Sequence, residues 1–455
     1  MYTFSKRLKI FAAALIIIGS ALTFIGFSNS LKSLDDVKEM LANESAHHGG
    51  GHQSVDNAHD AHKLETLHDN NAHAEVSHAV SHEDEHAEHV MHQIHNRPWS
   101  AVYVAAFFFM MISLGVLAFY AIQFAAQAGW SPLLFRVMEA ITYYLLPGAL
   151  IVVGIAYVGG DHIFIWMQEG MTTEGHENYD KLVAGKADWL NKFWFVGRAL
   201  IFIAGWSLYR FFARKFSLAQ DDAEKGDIKN YKKTFRISAA FLVFFIYTES
   251  MMSWDWIMSV DPHWFSTLFG WYVFASMFVS GITVIALITI YLKSKGLLPM
   301  VNDSHIHDLA KFMFGISVFW TYLWFSQFML IWYSNIPEEV TYFITRIEDY
   351  NLPFFGMIVM NFLFPLLLLM NSDYKRLPWF VIMAGVVILG GHYIDIFNMI
   401  MPATVGDRWF IGYPEIGAIL LFAGLFIFVV FHSLSKAPLI PKGNPLIKES
   451  EHFHY

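Results

Sequence analysis

The sequence of 455 residues contains no cysteine. That absence excludes disulfides, thiolate-ligated iron–sulfur clusters and CxxCH haem attachment within this chain. Electrons passing this way would need a bound organic cofactor or a partner subunit. Charge is also scarce: 15% of residues are charged, against about 25% in an ordinary soluble domain. The sequence has no basic tract of the kind that binds nucleic acid, and much of its net charge of −9 lies between the apolar stretches, so it says little about partners.

Apolar and aromatic residues fill the space that charge leaves. Hydrophobic residues make up 55% of the chain and aromatic residues 17%, including 43 Phe and 15 Trp. Ten apolar stretches occur, at about 8–29, 99–127, 134–159, 193–214, 234–257, 265–292, 308–334, 352–371, 377–401 and 413–435. Windows of about twenty apolar residues match a hydrocarbon layer roughly 30 Å thick at 1.5 Å rise per residue. The expected fold is therefore an all-α polytopic membrane protein with about ten transmembrane helices. The first stretch follows Lys6, Arg7 and Lys9 as a signal peptide would, but it ends FIGFSNS without a small-x-small cleavage site. Its apolar run is also longer than the usual 7–15 or so residues of such a signal, so it is expected to stay as a helix.

Lys and Arg set the expected orientation. With the N-terminus inside, twenty of the thirty fall on the cytoplasmic side and nine on the other, while Arg198 lies within a span. An even helix count then puts both termini in the cytoplasm. The chain divides into an N-terminal helix (1–29), a histidine-rich external insertion (30–97), a helical membrane domain (98–435) and a cytoplasmic tail (436–455).

Thirteen of the 22 histidines lie in 30–97, among Ala, Glu, Asp, Asn and Gly. This composition cannot bury enough apolar surface to fold alone. Imidazole ligates zinc, copper and nickel, yet no regular HxxxH pair with a fixed third ligand stands out, so no metal site is assigned. A solvated, proton-buffering insertion is the expected reading, with 82–95 able to extend the second helix outward.

A charge near the bilayer centre costs roughly 2.5–3.5 kcal/mol, which makes intramembrane ionisable groups functional candidates. Asp161, Glu249, Asp255, His392 and Asp395 are the candidate proton-handling residues, with Arg198 and His162 as candidates for a polar pocket that would take a ring bearing two oxygens. On the expected topology they lie in the outer third of the membrane, within about 15 Å of the external surface. His392 and Asp395 stand at i and i+3 and share a helix face, where a carboxylate beside an imidazole can relay protons or simply pack helices. Glu249 and Asp255 are six residues apart and point to different faces. Arg198 is expected to neutralise Glu249 or Asp395 from a neighbouring helix, or to line a pocket with it. Glu139 is the main acid near the other side.

An aromatic-acidic run, SWDWIMSVDPHWFSTLFGWY, occupies Ser253–Tyr272. Its part from Trp254 to Thr267, with the following Phe269–Tyr272, resembles the NrfD/polysulfide-reductase-type membrane subunits, and more closely those of bacterial alternative complex III, a quinol:cytochrome c oxidoreductase. Of the two such subunits in that assembly, the second is the better match because of the histidine-rich insertion after helix one. The DPHWFST segment carries the specificity. The resemblance extends over essentially the whole chain through helix count and character.

The resemblance implies two four-helix bundles, helices 2–5 and 6–9, with helices 1 and 10 peripheral. It implies a bacterial inner-membrane location with the insertion in the periplasm. The partners implied are a multihaem cytochrome c subunit, an iron–sulfur subunit, a homologous quinol-site subunit, small membrane subunits and a monohaem cytochrome c. Lipids and a terminal oxidase are further expected partners. Haem c and iron–sulfur clusters would sit in those partners, and no cofactor is expected to be covalently bound here.

Three readings follow: a scaffold and proton-conducting subunit without its own redox centre, the same subunit with its own quinol pocket, or a metal- or proton-coupled transporter. A transporter should gather its ligands near the midplane on broken helices. The one-sided placement of the ionisable groups counts against it.

Overall fold

The computed structural model describes residues 2–47 and 72–454, with only the backbone path of His47 and 72–83. The centre of the histidine-rich insertion, 48–71, where a solvated segment is expected, lies outside the described residues. No strand occurs among the described residues. Among the described residues, ten helices are long and apolar enough to cross a membrane: α1 (Lys6–Ser30), α2 (Asp84–Ala125), α3 (Pro132–Val158), α4 (Lys192–Asp221), α5 (Lys229–Val260), α6 (Phe269–Ser294), α7 (Asp303–Ser334), α8 (Asn351–Leu369), α9 (Pro378–Val405) and α10 (Tyr413–Leu434). The chain is an all-α, multi-pass membrane protein.

Polar residues at the helix ends explain several boundaries. Ser5 accepts from Leu8 N to start α1, and Asn191 accepts from Trp194 N to start α4. Asn302 accepts from the amides of Ser304 and His305 at the start of α7, and Asn335 ends that helix in the left-handed region at φ 47°. Each satisfies an amide or carbonyl that the first or last turn would otherwise leave free. In α8 the α-helix gives way to a π-helix at Val359–Leu363. Pro365 follows and has no N–H to give the Asn361 carbonyl four residues back, which accounts for the break.

Helices α2–α5 form one four-helix bundle and α6–α9 a second, joined where α2 packs on α6 and α9. At that joint an added Cβ on Gly115 would meet the Met277 carbonyl at 2.2 Å, and one on Gly281 would meet Val116 N at 2.9 Å. The peripheral helices α1 and α10 pack on each other along the side of α2. Their backbones approach so closely that a Cβ on Gly19 would lie 2.3 Å from Leu421 N, and one on Gly417 would lie 2.5 Å from Thr23 N. Small residues permit this approach where lipid supplies no hydrophobic drive between helices.

The insertion is structured at both margins. Helix α2 is continuous from Ala72, extending outward as 82–95 suggested, and a short helix covers Leu34–His47. The two pack through Val37, Ala87 and Val90, with Lys38 Nζ 2.5 Å from Asp84 Oδ1.

Candidate functional site

The most enclosed polar cluster lies inside the second bundle. Asp395 on α9 is fully buried and accepts from Tyr272 OH on α6 and from Trp320 Nε1 on α7, the latter at 2.9 Å. His392, one turn earlier on the same face, is also fully buried. Its Nδ1 lies 3.5 Å from Asp395 Oδ2 and 2.9 Å from Ser276 Oγ. The Trp320 ring stands edge-on to the imidazole at 5.3 Å and 88°. Three helices thus converge on one carboxylate, and the helical spacing of His392 and Asp395 brings the imidazole to it as expected.

Two further polar groups adjoin this cluster without partners of their own. Among the described residues, His392 Nε2 has no hydrogen-bond partner, and neither polar atom of fully buried Asn361 has one. Asn361 belongs to the π-helix and packs against α9 beside His392, since a Cβ on Gly391 would come within 2.1 Å of its Oδ1. Buried polar atoms are normally satisfied by protein or ordered water. A π turn carrying such a side chain beside a buried imidazole is a recurrent mark of functional sites.

The first bundle holds its acids differently. Arg198 Nε donates to Asp255 Oδ2 at 2.6 Å, and Trp189 Nε1 donates to Oδ1 at 2.8 Å. The Arg198 guanidinium also lies 4.1 Å over the Trp189 ring. Its partner is therefore Asp255, rather than Glu249 or Asp395. Reach decides this: Arg198 and Asp255 both lie near the same end of α4 and α5, while Asp395 sits in the other bundle. Glu249 is buried and, among the described residues, its carboxylate accepts from two serines, at 3.0 Å from Ser253 Oγ and 3.4 Å from Ser250 Oγ.

At the opposite end Glu139 accepts from Arg136 (2.7 Å), Arg214 (2.8 Å), Ser217 (2.6 Å) and Tyr120 (3.0 Å). Arg136 also binds Asp221 at 2.5 Å. Between Glu139 and Glu249, α4 and α5 are linked by Tyr209 OH–Ser238 Oγ (2.8 Å) and by Trp206 Nε1 donating to Thr248 Oγ1 (3.0 Å).

Asp161 and His162 stand apart from both clusters. Asp161 is exposed and pairs with Lys192 at 3.1 Å. The His162 ring stacks on Trp99 at 5.7 Å, with Nδ1 2.9 Å from Asn96 Oδ1. Burial keeps this imidazole below its ordinary value, outweighing the raising effect of Asp161. His162 thus fixes the 160–192 loop to the Asn96–Trp99 stretch of α2, and Asp161 ties it to the start of α4.

The aromatic-acidic run forms a clasp across the face that carries the 160–192 loop. Lys186 Nζ donates to the Pro262 carbonyl at 2.5 Å, and His263 Nε2 lies 2.6 Å from Asp180 Oδ2. The Trp264 ring stacks on Tyr342 at 3.9 Å. Tyr342 belongs to the short helix Pro337–Glu348 between α7 and α8, as does Arg346. Buried Arg346 lies 3.3 Å over the Tyr342 ring and donates to the carbonyls of Asn398 (2.9 Å), Tyr342 (2.7 Å) and Met399 (3.4 Å). The run thus ties the loop of the first bundle to the loop helix of the second.

Sequence reasoning missed Tyr272, Trp320, Asn361 and Arg346. Arg346 left one signal, being the one Lys or Arg between Lys311 and Lys375. Among the described residues, no group of three or more His, Asp or Glu side chains is arranged to hold a metal ion. No family model matches this chain, and no curated protein sequence does.

Proposed function

We propose that this chain is an integral membrane subunit of a quinol-oxidising respiratory complex, serving as scaffold and proton conductor without a redox centre of its own. It would sit in a bacterial inner membrane with both termini in the cytoplasm and the histidine-rich insertion in the periplasm. The assignment to such a complex rests on the resemblance carried by Trp254–Tyr272 and on the lack of cysteine. The proton-conducting part rests on one observation above the rest: Asp395, fully buried, is held by exchangeable donors and an imidazole instead of a fixed cation.

Oxidation of a quinol releases two electrons and two protons. The electrons need iron–sulfur and haem centres, which in this reading belong to partners. The protons need side chains that can bind and release them inside the membrane. His392 and Asp395 supply a relay in the second bundle. In the first, Glu249 can take the same part, with the Tyr209–Ser238 and Trp206–Thr248 links below it. The Arg198–Asp255 and Arg136–Glu139 pairs keep their charges balanced in place and serve as scaffold.

Two experiments test this. Purification of the full chain through a C-terminal tag in mild detergent, followed by a reduced-minus-oxidised spectrum, should show co-purifying haem c and iron–sulfur protein. A colourless chain, stable without partners, would remove the complex from the reading. In the intact complex, Asp395→Asn should slow quinol oxidation while assembly and haem content stay normal. Unchanged turnover would exclude a proton-handling role for Asp395.

A further inference from the structure

An apolar cavity of about 880 Å³ separates α10 from the second bundle. Phe108, Leu287, Gly356, Met360, Leu389 and Ile419 are among its lining residues, contributed by five helices. Its lining reaches from Trp409 and Ile411 at one end of α10 to Phe431 and Tyr291 at the other, a height of about 30 Å at 1.5 Å per residue. Among the described residues, Glu415 is the one charged residue in that lining, and its carboxylate is taken up by Arg97 (2.8 Å) and Gly412 N (2.8 Å). Water has few partners in such a space, whereas hydrocarbon chains fill it.

The two ends differ in charge. Trp409 also lines a cavity of about 480 Å³ at the other end of α10, where the cations Lys32, Arg97 and Arg408 are matched in number by Glu44, Asp407 and the adjoining Glu415, with Arg97–Glu415 and Arg408–Glu44 paired at 2.8 Å each. Tyr291 also lines a cavity of about 550 Å³ at the opposite end, bordered by Tyr2, Ser5, Arg7 and Lys295. No acidic residue lines this one, and neither Arg7 nor Lys295 forms an ion pair among the described residues. Net positive charge therefore meets the apolar cavity at the N-terminal end of α1 alone.

We propose that this cleft is a binding site for a phospholipid with an anionic headgroup. The headgroup lies on Arg7 and Lys295, and an acyl chain runs past Tyr291 into the cavity between α10 and the second bundle. The site draws its lipid from the leaflet that carries the chain termini, where cations near a membrane surface attract anionic lipid. Bound there, the lipid fills the gap that the paired α1 and α10 leave against α6, α8 and α9.

The test uses the full chain in nanodiscs containing equal phosphatidylglycerol and phosphatidylcholine. The chain is then moved into mild detergent, and the retained lipid is identified by native mass spectrometry. The wild type should retain phosphatidylglycerol over phosphatidylcholine by about fivefold or more. The exposed pair Arg7→Gln/Lys295→Gln should abolish the preference without affecting the melting temperature. Gly356→Phe should lower retention of both lipids, since a Cβ there meets nothing within 4 Å and the ring can enter the cavity. Equal retention of the two lipids by the wild type, or an unchanged preference in the double variant, would overturn the proposal. A retained quinone in place of phospholipid would overturn it as well.

Discussion

In the first bundle the buried carboxylates of Asp255 and Glu139 lie against arginines, whereas in the second Asp395 lies against a tyrosine, a tryptophan and a histidine. The donors are comparable in number, yet the consequences differ. A carboxylate bonded to a guanidinium cannot take up a proton without giving up an ion pair in a low-dielectric setting. Asp395 faces no such obstacle, because Tyr272, Trp320 and Ser276 can keep hydrogen bonds in either protonation state of the site. Glu249, with serines alone, is the exception within the first bundle and belongs with Asp395. Arginine-held acids join helices through ion pairs, whereas acids held by neutral donors can change protonation without breaking one.

The largest effect should come from breaking the ionic end of the first bundle. Arg136→Met removes the cation shared by Glu139 and Asp221. Leaving a buried charge short of its partner costs about 3–5 kcal/mol. Arg214 and Ser217 still hold Glu139, so the lower part of that range is expected, read as a drop in melting temperature in detergent. A melting temperature within 1 °C or so of the wild type would show that the cluster does not hold the bundle together.

The matching change in the second bundle should be milder in stability and more visible in activity. Tyr272→Phe removes one donor from Asp395 and leaves Trp320 in place. Loss of a single buried hydrogen bond costs about 1–3 kcal/mol when the partner is left unsatisfied. The proton-linked step should slow, as for Asp395→Asn. A variant that melts as early as Arg136→Met yet turns over normally would reverse the division between the bundles.

The legible part of this molecule is the part written in long-range hydropathy. Ten apolar windows marked ten helices, and the uninterrupted polar segment before Trp99 allowed α2 to continue outward. His392 and Asp395 could be paired because three residues on a helix bring side chains together. Their donors could not. Tyr272 closes the run singled out in the sequence, but an aromatic residue near a span end ordinarily anchors the interface, and mid-helix Trp320 is one aromatic among many in an apolar span. Asn361 was hidden as one polar residue in an apolar run: Pro365 marks the interruption in the sequence, but not the π turn that carries Asn361 toward α9. The partner of Arg198 depended on which helix ends meet, a tertiary fact that sequence spacing does not carry.

The smallest effect concerns the clasp that lets the two bundles be compared at all. Asp180 Oδ1 accepts from the amides of Leu182 (2.8 Å) and Val183 (3.1 Å), while Oδ2 faces His263. Partial burial works to raise this carboxyl, but the hydrogen bond from His263 and those two amides outweigh it and hold it below the ordinary 3.8. A carboxylate with a depressed folded-state value contributes stability that is present above its unfolded value and lost as pH falls through the folded one. The wild type should therefore exceed Asp180→Asn in stability near neutral pH, with the difference fading below about pH 4. Both side chains are partly open to solvent, so screening keeps the difference under ~1 kcal/mol. Melting curves of the two proteins at pH 3.5 and 6.5 read it directly. A gap that persists unchanged at the lower pH would mean that Asp180 holds the clasp by shape and not by charge, and that the Pro262 and Trp264 contacts alone join the bundles on this face.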